Sequence, residues 1–141
     1  MAISINVLDL DHRPVDIMVK YQGSHLLIIF YNNTCLGCTG RAIPLAYQYH
    51  RDYKNLQVIG IHSEFGGNLS TKEDIASIFT IEEVPFPIYI DPELKMYDRM
   101  NAEGTPHWVL INKEGEVFRS FFGSLGDSRN RLSYAVEAMV Q

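Results

Sequence analysis

His25-Leu26-Leu27-Ile28-Ile29-Phe30-Tyr31-Asn32-Asn33-Thr34-Cys35-Leu36-Gly37-Cys38 carries the most apolar stretch of the chain straight into its only two cysteines. The apolar run is continuous rather than alternating, so His25 to Tyr31 reads as a strand with both faces buried. A buried strand that hands directly to a helix sets Cys35 at the helix N-terminus. There, unpaired backbone N–H groups and the helix dipole favour a thiolate over a thiol. Cys38 lies one turn on, and residues three apart on a helix have Cβ atoms about 5–6 Å apart, close enough for the sulfurs to meet. The expectation is an attacking thiol at Cys35 and a resolving thiol at Cys38.

Downstream, Leu56 to His62 reads as a second buried strand, joined to the first by a helical crossover. Such a unit is right-handed with parallel strands, and parallel strands carry their chemistry at their C-terminal ends, so Cys35 and His62 are expected at one edge. Pro44 falls inside the crossover and crowds the carbonyl of Gly40, which predicts a kink. Ser70-Thr71-Lys72-Glu73 has the form of a capping box, with Ile75, Ile78 and Phe79 following at helical spacing. Pro85 and Pro87 end that helix and lead into a strand, after which Asp91-Pro92 opens a short helix through Tyr97. Gly104-Thr105-Pro106 then precedes the strand His107 to Ile111, the turn Asn112 to Gly115 and the strand Glu116 to Phe122, an antiparallel hairpin. Leu132, Ala135, Val136 and Met139 mark a final amphipathic helix. Trp108, Phe118, Phe121 and Phe122 are assigned to the core, and Gly66-Gly67-Asn68 is expected to be mobile.

A length of 141 residues with 46% hydrophobic and 21% charged content describes one domain, residues 1–141. The net charge of -5 without a Lys/Arg cluster argues against a nucleic acid or an anionic membrane as partner. Met1 to Asp9 has neither a basic n-region nor a long apolar run, so a cytoplasmic location is expected. In a reducing compartment two cysteines form a catalytic pair more readily than a permanent staple. The bland alternatives are a pair of inert buried thiols or half of a zinc site. A structural zinc needs four ligands, usually with a second such pair, and none exists here; histidines could complete a site, but no metal is expected.

Taken together, these motifs resemble the thioredoxin-like fold over most of the chain: Cys-x-x-Cys at the first strand-helix junction, then Thr-Pro, a hairpin and a last helix. Val58-Ile59-Gly60-Ile61-His62, Val84-Pro85-Phe86-Pro87-Ile88-Tyr89-Ile90-Asp91 and Gly104 to Gly115 look like the redoxin branch, which includes thiol-specific antioxidant and cytochrome-maturation thiol-disulfide oxidoreductases. The resemblance implies an α/β fold with a central mixed sheet flanked by helices, and a redoxin-type insertion between the βαβ half and the C-terminal ββα half. It further implies that Cys35 attacks, that Cys38 resolves, and that Pro106 is a cis-proline facing the pair. The backbone of Thr105 would pair with an extended substrate segment. No cofactor is implied beyond the Cys35/Cys38 couple itself, and the partners would be protein disulfides and a thiol electron donor.

Several positions depart from the family pattern. Thr34 stands where a Trp often precedes the first cysteine, and Leu36-Gly37 replaces a proline-containing dipeptide. Thr39-Gly40-Arg41 offers no glutamate after the second cysteine. Arg41 is instead a candidate to hold a thiolate by charge, and His62, Glu64 and His107 are candidates to move protons between the sulfurs. A peroxiredoxin-type thiol peroxidase is the rival enzyme, in which a sulfenic acid on Cys35 is captured by Cys38. It is disfavoured because the peroxide-holding Pro and Thr positions are Ile28 and Asn32. A non-enzymatic binding or metal-binding module on the same fold is the third reading.

Overall fold

Seven strands form one mixed sheet around the apolar run His25–Tyr31, and the computed structural model describes residues 3–65, 69–79 and 83–141. An N-terminal hairpin, β1 (Asn6–Leu8) and β2 (Pro14–Asp16), leads through the short helix α1 (Ile17–Lys20) into β3 (His25–Tyr31). Helix α2 (Ile43–Asp52) crosses over to β4 (Leu56–Ser63), followed by α3 (Lys72–Ala76), β5 (Ile88–Asp91) and α4 (Lys95–Arg99). The hairpin β6 (His107–Ile111) and β7 (Val117–Phe122) and the long helix α5 (Asp127–Val140) close the chain. The strand order is β2-β1-β5-β4-β3-β6-β7, with β3, β4 and β5 mutually parallel and the outer pairs antiparallel.

Alternation along β3 divides the core. Leu27, Ile29 and Tyr31 pack with Trp108, α2 and α5, whereas Leu26, Ile28 and Phe30 pack with Ile5, Ile17, Val109 and Met96 on the opposite face. Both faces are covered, which is why the strand reads as an unbroken apolar run. The crossover is parallel as expected, with Tyr31 opposite His62.

Pro44 acts earlier than a simple kink. Having no N–H for the Gly40 carbonyl, it denies the first turn its α-helical register, and Cys38–Ala42 winds as a π-helical turn with Ile43 N–H donating to the Cys38 carbonyl. Pro44 then sits in the first turn of α2, where a missing N–H costs nothing.

Other expectations need correction. The capping box is Thr71 with Asp74, not Ser70 with Glu73: Thr71 Oγ1 accepts from Asp74 N–H, and the Asp74 carboxylate accepts from Thr71 N–H. Helix α3 stops at Ala76, so Ile78 and Phe79 pack from a turn. Asp91 does not cap the 3-10 turn Pro92–Leu94. Its carboxyl oxygens reach past that turn to Met96 N–H and Tyr97 N–H and fasten α4. Phe122 is exposed because alternate residues of the edge strand β7 face outward, whereas Trp108 and Phe121 are buried. The β1–β2 hairpin has no clear signature in the sequence, since three-residue strands carry too little periodicity. Gly66, Gly67 and Asn68 lie outside the described residues.

Candidate active site

The loop after β3 folds back tightly. Cys35 N–H donates to the Asn32 carbonyl at 3.0 Å, and the Cys35 carbonyl accepts from Cys38 N–H and Thr39 N–H, both at 3.1 Å. Cys35 therefore begins the helical turn, and Cys38 N–H also points at Cys35 Sγ, 3.2 Å away. A backbone donor aimed at this sulfur favours its anionic form, because hydrogen bonding to a charged state lowers the cost of that charge. The two cysteines stand at disulfide distance with Cα atoms 5.2 Å apart, inside the range that a disulfide bridges without backbone movement. Their access differs: Cys35 is half-buried and Cys38 fully buried in the cluster that holds Trp108, Ala42 and Ala46.

Across from this turn lies the loop entering β6. The Thr105–Pro106 peptide is cis, Pro106 is buried, and the Thr105 carbonyl oxygen stands 3.4 Å from Cys35 Sγ. The Pro106 carbonyl accepts from Gly123 N–H at 2.9 Å, tying the loop to the end of β7. Gly37 is the close-approach residue of the motif. A Cβ there would meet Arg41 Nη2 at 3.1 Å, Ser124 Oγ at 3.5 Å and the Pro106 ring at 3.9 Å.

The structure brings together Cys35, Cys38, Thr105 and Pro106, and it places the remaining candidates differently. Thr34 is exposed, and its N–H and hydroxyl donate to Asn32 Oδ1, so it shapes the loop from outside. Arg41 makes no hydrogen bond to either sulfur among the described residues; its Nε donates to Ser124 Oγ at 3.3 Å. His62 approaches the motif through the backbone, accepting Asn33 N–H on Nε2 at 3.1 Å, while Nδ1 is hydrogen-bonded to Glu64. Glu64 makes no hydrogen bond to either sulfur among the described residues and is held by Ser70 N–H and Ser70 Oγ. His107 does not reach the site. Along β6 it alternates with Trp108, so it faces the opposite side of the sheet, bonding Ser120 Oγ at 2.8 Å and Glu103 N–H at 3.4 Å. Burial pushes both imidazoles below their ordinary pKa, against the pull of Glu64 on His62 and of Glu103 on His107.

Asn32, Asn33 and Ser124 escaped the sequence reading. The Asn pair carries a signal, since Asn after a strand forms turns through its side chain. Ser124 carries none, lying 83 residues from its partner Arg41. Among the described residues, no three His, Cys, Asp or Glu side chains converge as a metal site, and no helix is long and apolar enough to cross a membrane.

No protein-family profile matches the chain, and no curated protein matches its sequence. Solved structures do resemble it. A Chlorobium tepidum protein provisionally named thiol:disulfide interchange protein DsbE superposes with a TM-score of 0.81 at 18% identity, over 99% of this chain and 95% of that one. A thiol-disulfide isomerase from Corynebacterium glutamicum gives 0.74 at 22% identity, over 99% and 97%. A secreted Mycobacterium tuberculosis disulfide oxidoreductase, homologous to E. coli DsbE, gives 0.70 at 20% identity, over 95% of each chain. At such identities the likeness establishes the fold: a thioredoxin-like mixed sheet flanked by helices, as the motifs implied.

Proposed function

We propose that the protein is a thiol-disulfide oxidoreductase of the redoxin type whose only redox group is the Cys35/Cys38 couple. The observation that carries this reading is the unequal pair: a half-buried Cys35 Sγ facing a backbone donor, with a fully buried Cys38 one turn behind it. In the reducing direction the Cys35 thiolate attacks one sulfur of a substrate disulfide, and the other substrate sulfur leaves as a thiolate that takes a proton from water. Cys38 then gives up its proton and attacks Cys35 Sγ, releasing the second substrate thiolate and forming the Cys35–Cys38 disulfide. Two electrons have passed to the substrate, and an external dithiol returns them. Protein disulfides are the favoured substrates. Leu36 and Leu125 are 84% and 64% exposed beside Gly37 and Ser124, an apolar border suited to a polypeptide. The Thr105 backbone, beside Cys35, is available to align an extended segment.

Replacing Cys38 with Ser should trap mixed disulfides with partners, and Cys35→Ser should trap none. Reversed trapping would reverse the roles. Dithiothreitol-driven reduction of insulin should outpace peroxide turnover, whereas rapid peroxide consumption by the reduced protein would favour the peroxidase reading. Zinc retained through purification would favour a binding module. A reductive, cytoplasmic role belongs to the same proposal, supported by cysteines confined to one redox pair. A strongly oxidising equilibrium potential, or recovery of the native protein outside the cytoplasm, would turn the direction of electron flow around.

A further inference from the structure

The exchange steps above do not use the buried pair His62 and Glu64, yet it stands directly behind the loop that presents Cys35. Asn33 N–H points at His62 Nε2, and an amide can only donate, so Nε2 carries its lone pair there. The ring proton therefore resides on Nδ1 and is donated to Glu64 Oε2. Glu64 is anchored in turn by Ser70 N–H on Oε1 and by Ser70 Oγ on Oε2. The His62 and Glu64 side chains are only 5% and 4% exposed, and the Tyr31 ring meets the imidazole edge-on with centroids 5.2 Å apart. Tautomer and ring plane are thus both fixed. On the far side, the pinned amide belongs to a loop held also by Asn33 Nδ2 on the Asp74 carbonyl and Asn32 Nδ2 on the Ser63 carbonyl.

We infer that His62 is a positioning residue for Cys35: its neutral Nδ1–H form pins the Asn33 amide and so the loop that sets Cys35 at the start of its helical turn, and protonation of the ring releases that pin. An imidazolium carries N–H on both nitrogens, so one of them would confront Asn33 N–H across a distance that now holds a hydrogen bond. The groups facing the ring are Glu64 just past the end of its own strand, Asp74 on α3, Tyr31 on β3 and the loop amide. Burial disfavours the charged ring while Glu64 and Asp74 favour it, and burial prevails, so the switch lies below the ordinary histidine value of 6.5. The inference describes regulation of the thiol-disulfide site and rests on that reading.

Two measurements on the full chain test it. Nitrogen NMR near neutral pH reads the His62 tautomer directly; Nδ1–H is expected, and an Nε2–H ring or an imidazolium overturns the inference. Alkylation of the reduced protein across pH, normalised to the Cys35 thiolate, should show a second inflection below the ordinary histidine value. His62→Gln places a non-titrating acceptor near the Asn33 amide, so it should lose the inflection and keep more of the rate than His62→Leu. The leucine variant should slow by about tenfold, the scale of leaving one part-buried amide without its acceptor. Glu64→Gln removes the neighbouring charge that favours imidazolium and should move the inflection to lower pH; this variant carries the test if His62→Leu fails to fold. A single inflection common to all these proteins overturns the inference. Cysteines that cycle normally whatever occupies position 62 remove only this inference, whereas cysteines that fail to cycle with any dithiol remove the thiol-disulfide reading itself.

Discussion

Gly104 occupies a backbone conformation with φ +142, and a Cβ at that position would lie 2.8 Å from Phe122 Cε1. The two obstacles differ in kind. Phe122 is an exposed ring on an edge strand and can swing aside, but the dihedral is one that L side chains rarely adopt. Gly104→Ala should therefore lose more than about 1 kcal/mol in urea unfolding, and adding Phe122→Ala should restore only part of it. Because Thr105 follows directly, the folded fraction should also show slower alkylation of Cys35. At this scale spacing alone singles out Cys35 and Cys38, whereas Thr105 and Pro106 were placed beside them only by the family resemblance. His107 was misplaced because alternation shows that it opposes Trp108 but not which of the two faces the crossover helix.

Between elements, the single Trp makes the tie that matters most to the site's frame. Trp108 on β6 is fully buried and its Nε1–H donates to the Gly123 carbonyl at 2.7 Å, joining the sheet centre to the turn before α5. Gly123 N–H in turn donates to the Pro106 carbonyl. Trp108→Phe fills most of the volume but leaves a part-buried carbonyl without its indole donor, so thermal unfolding should show a loss of about 1 kcal/mol. If Trp108→Phe matched the wild type in stability, the indole hydrogen bond would carry no net weight. Long elements were legible because periodicity accumulates with length: β3, β4 and α5 follow their apolar patterns closely. The β1–β2 hairpin and the end of α3 were not, since pairing partners distant in sequence decide them. The capping box slipped by one residue because Ser70 and Thr71 are chemically equivalent caps, and Glu64 claims Ser70.

For the molecule as a whole, His62 and His107 are both buried and both have their pKa lowered by that burial, on opposite faces of the sheet. The unfolded chain binds their protons more readily than the folded one, so the stability they contribute is intact above the ordinary value of 6.5 and is lost as pH falls through the lowered folded values. The melting temperature should decline across that window, and a protein with both residues changed to Gln should decline less. An unchanged slope in that double variant would place the acid sensitivity elsewhere. The bond between Cys35 and Cys38 spans only three residue steps. Closing so small a ring restricts the unfolded chain by about 2 kcal/mol on a chain-entropy account, against the roughly 3 kcal/mol of a 15-residue loop. Ring closure in the unfolded chain thus contributes only about 40 mV to a two-electron couple. The rest of the couple's potential must be written in the few atoms that touch the two sulfurs, and every ~30 mV they add is also about 1.4 kcal/mol of difference in stability between the oxidised and the reduced protein.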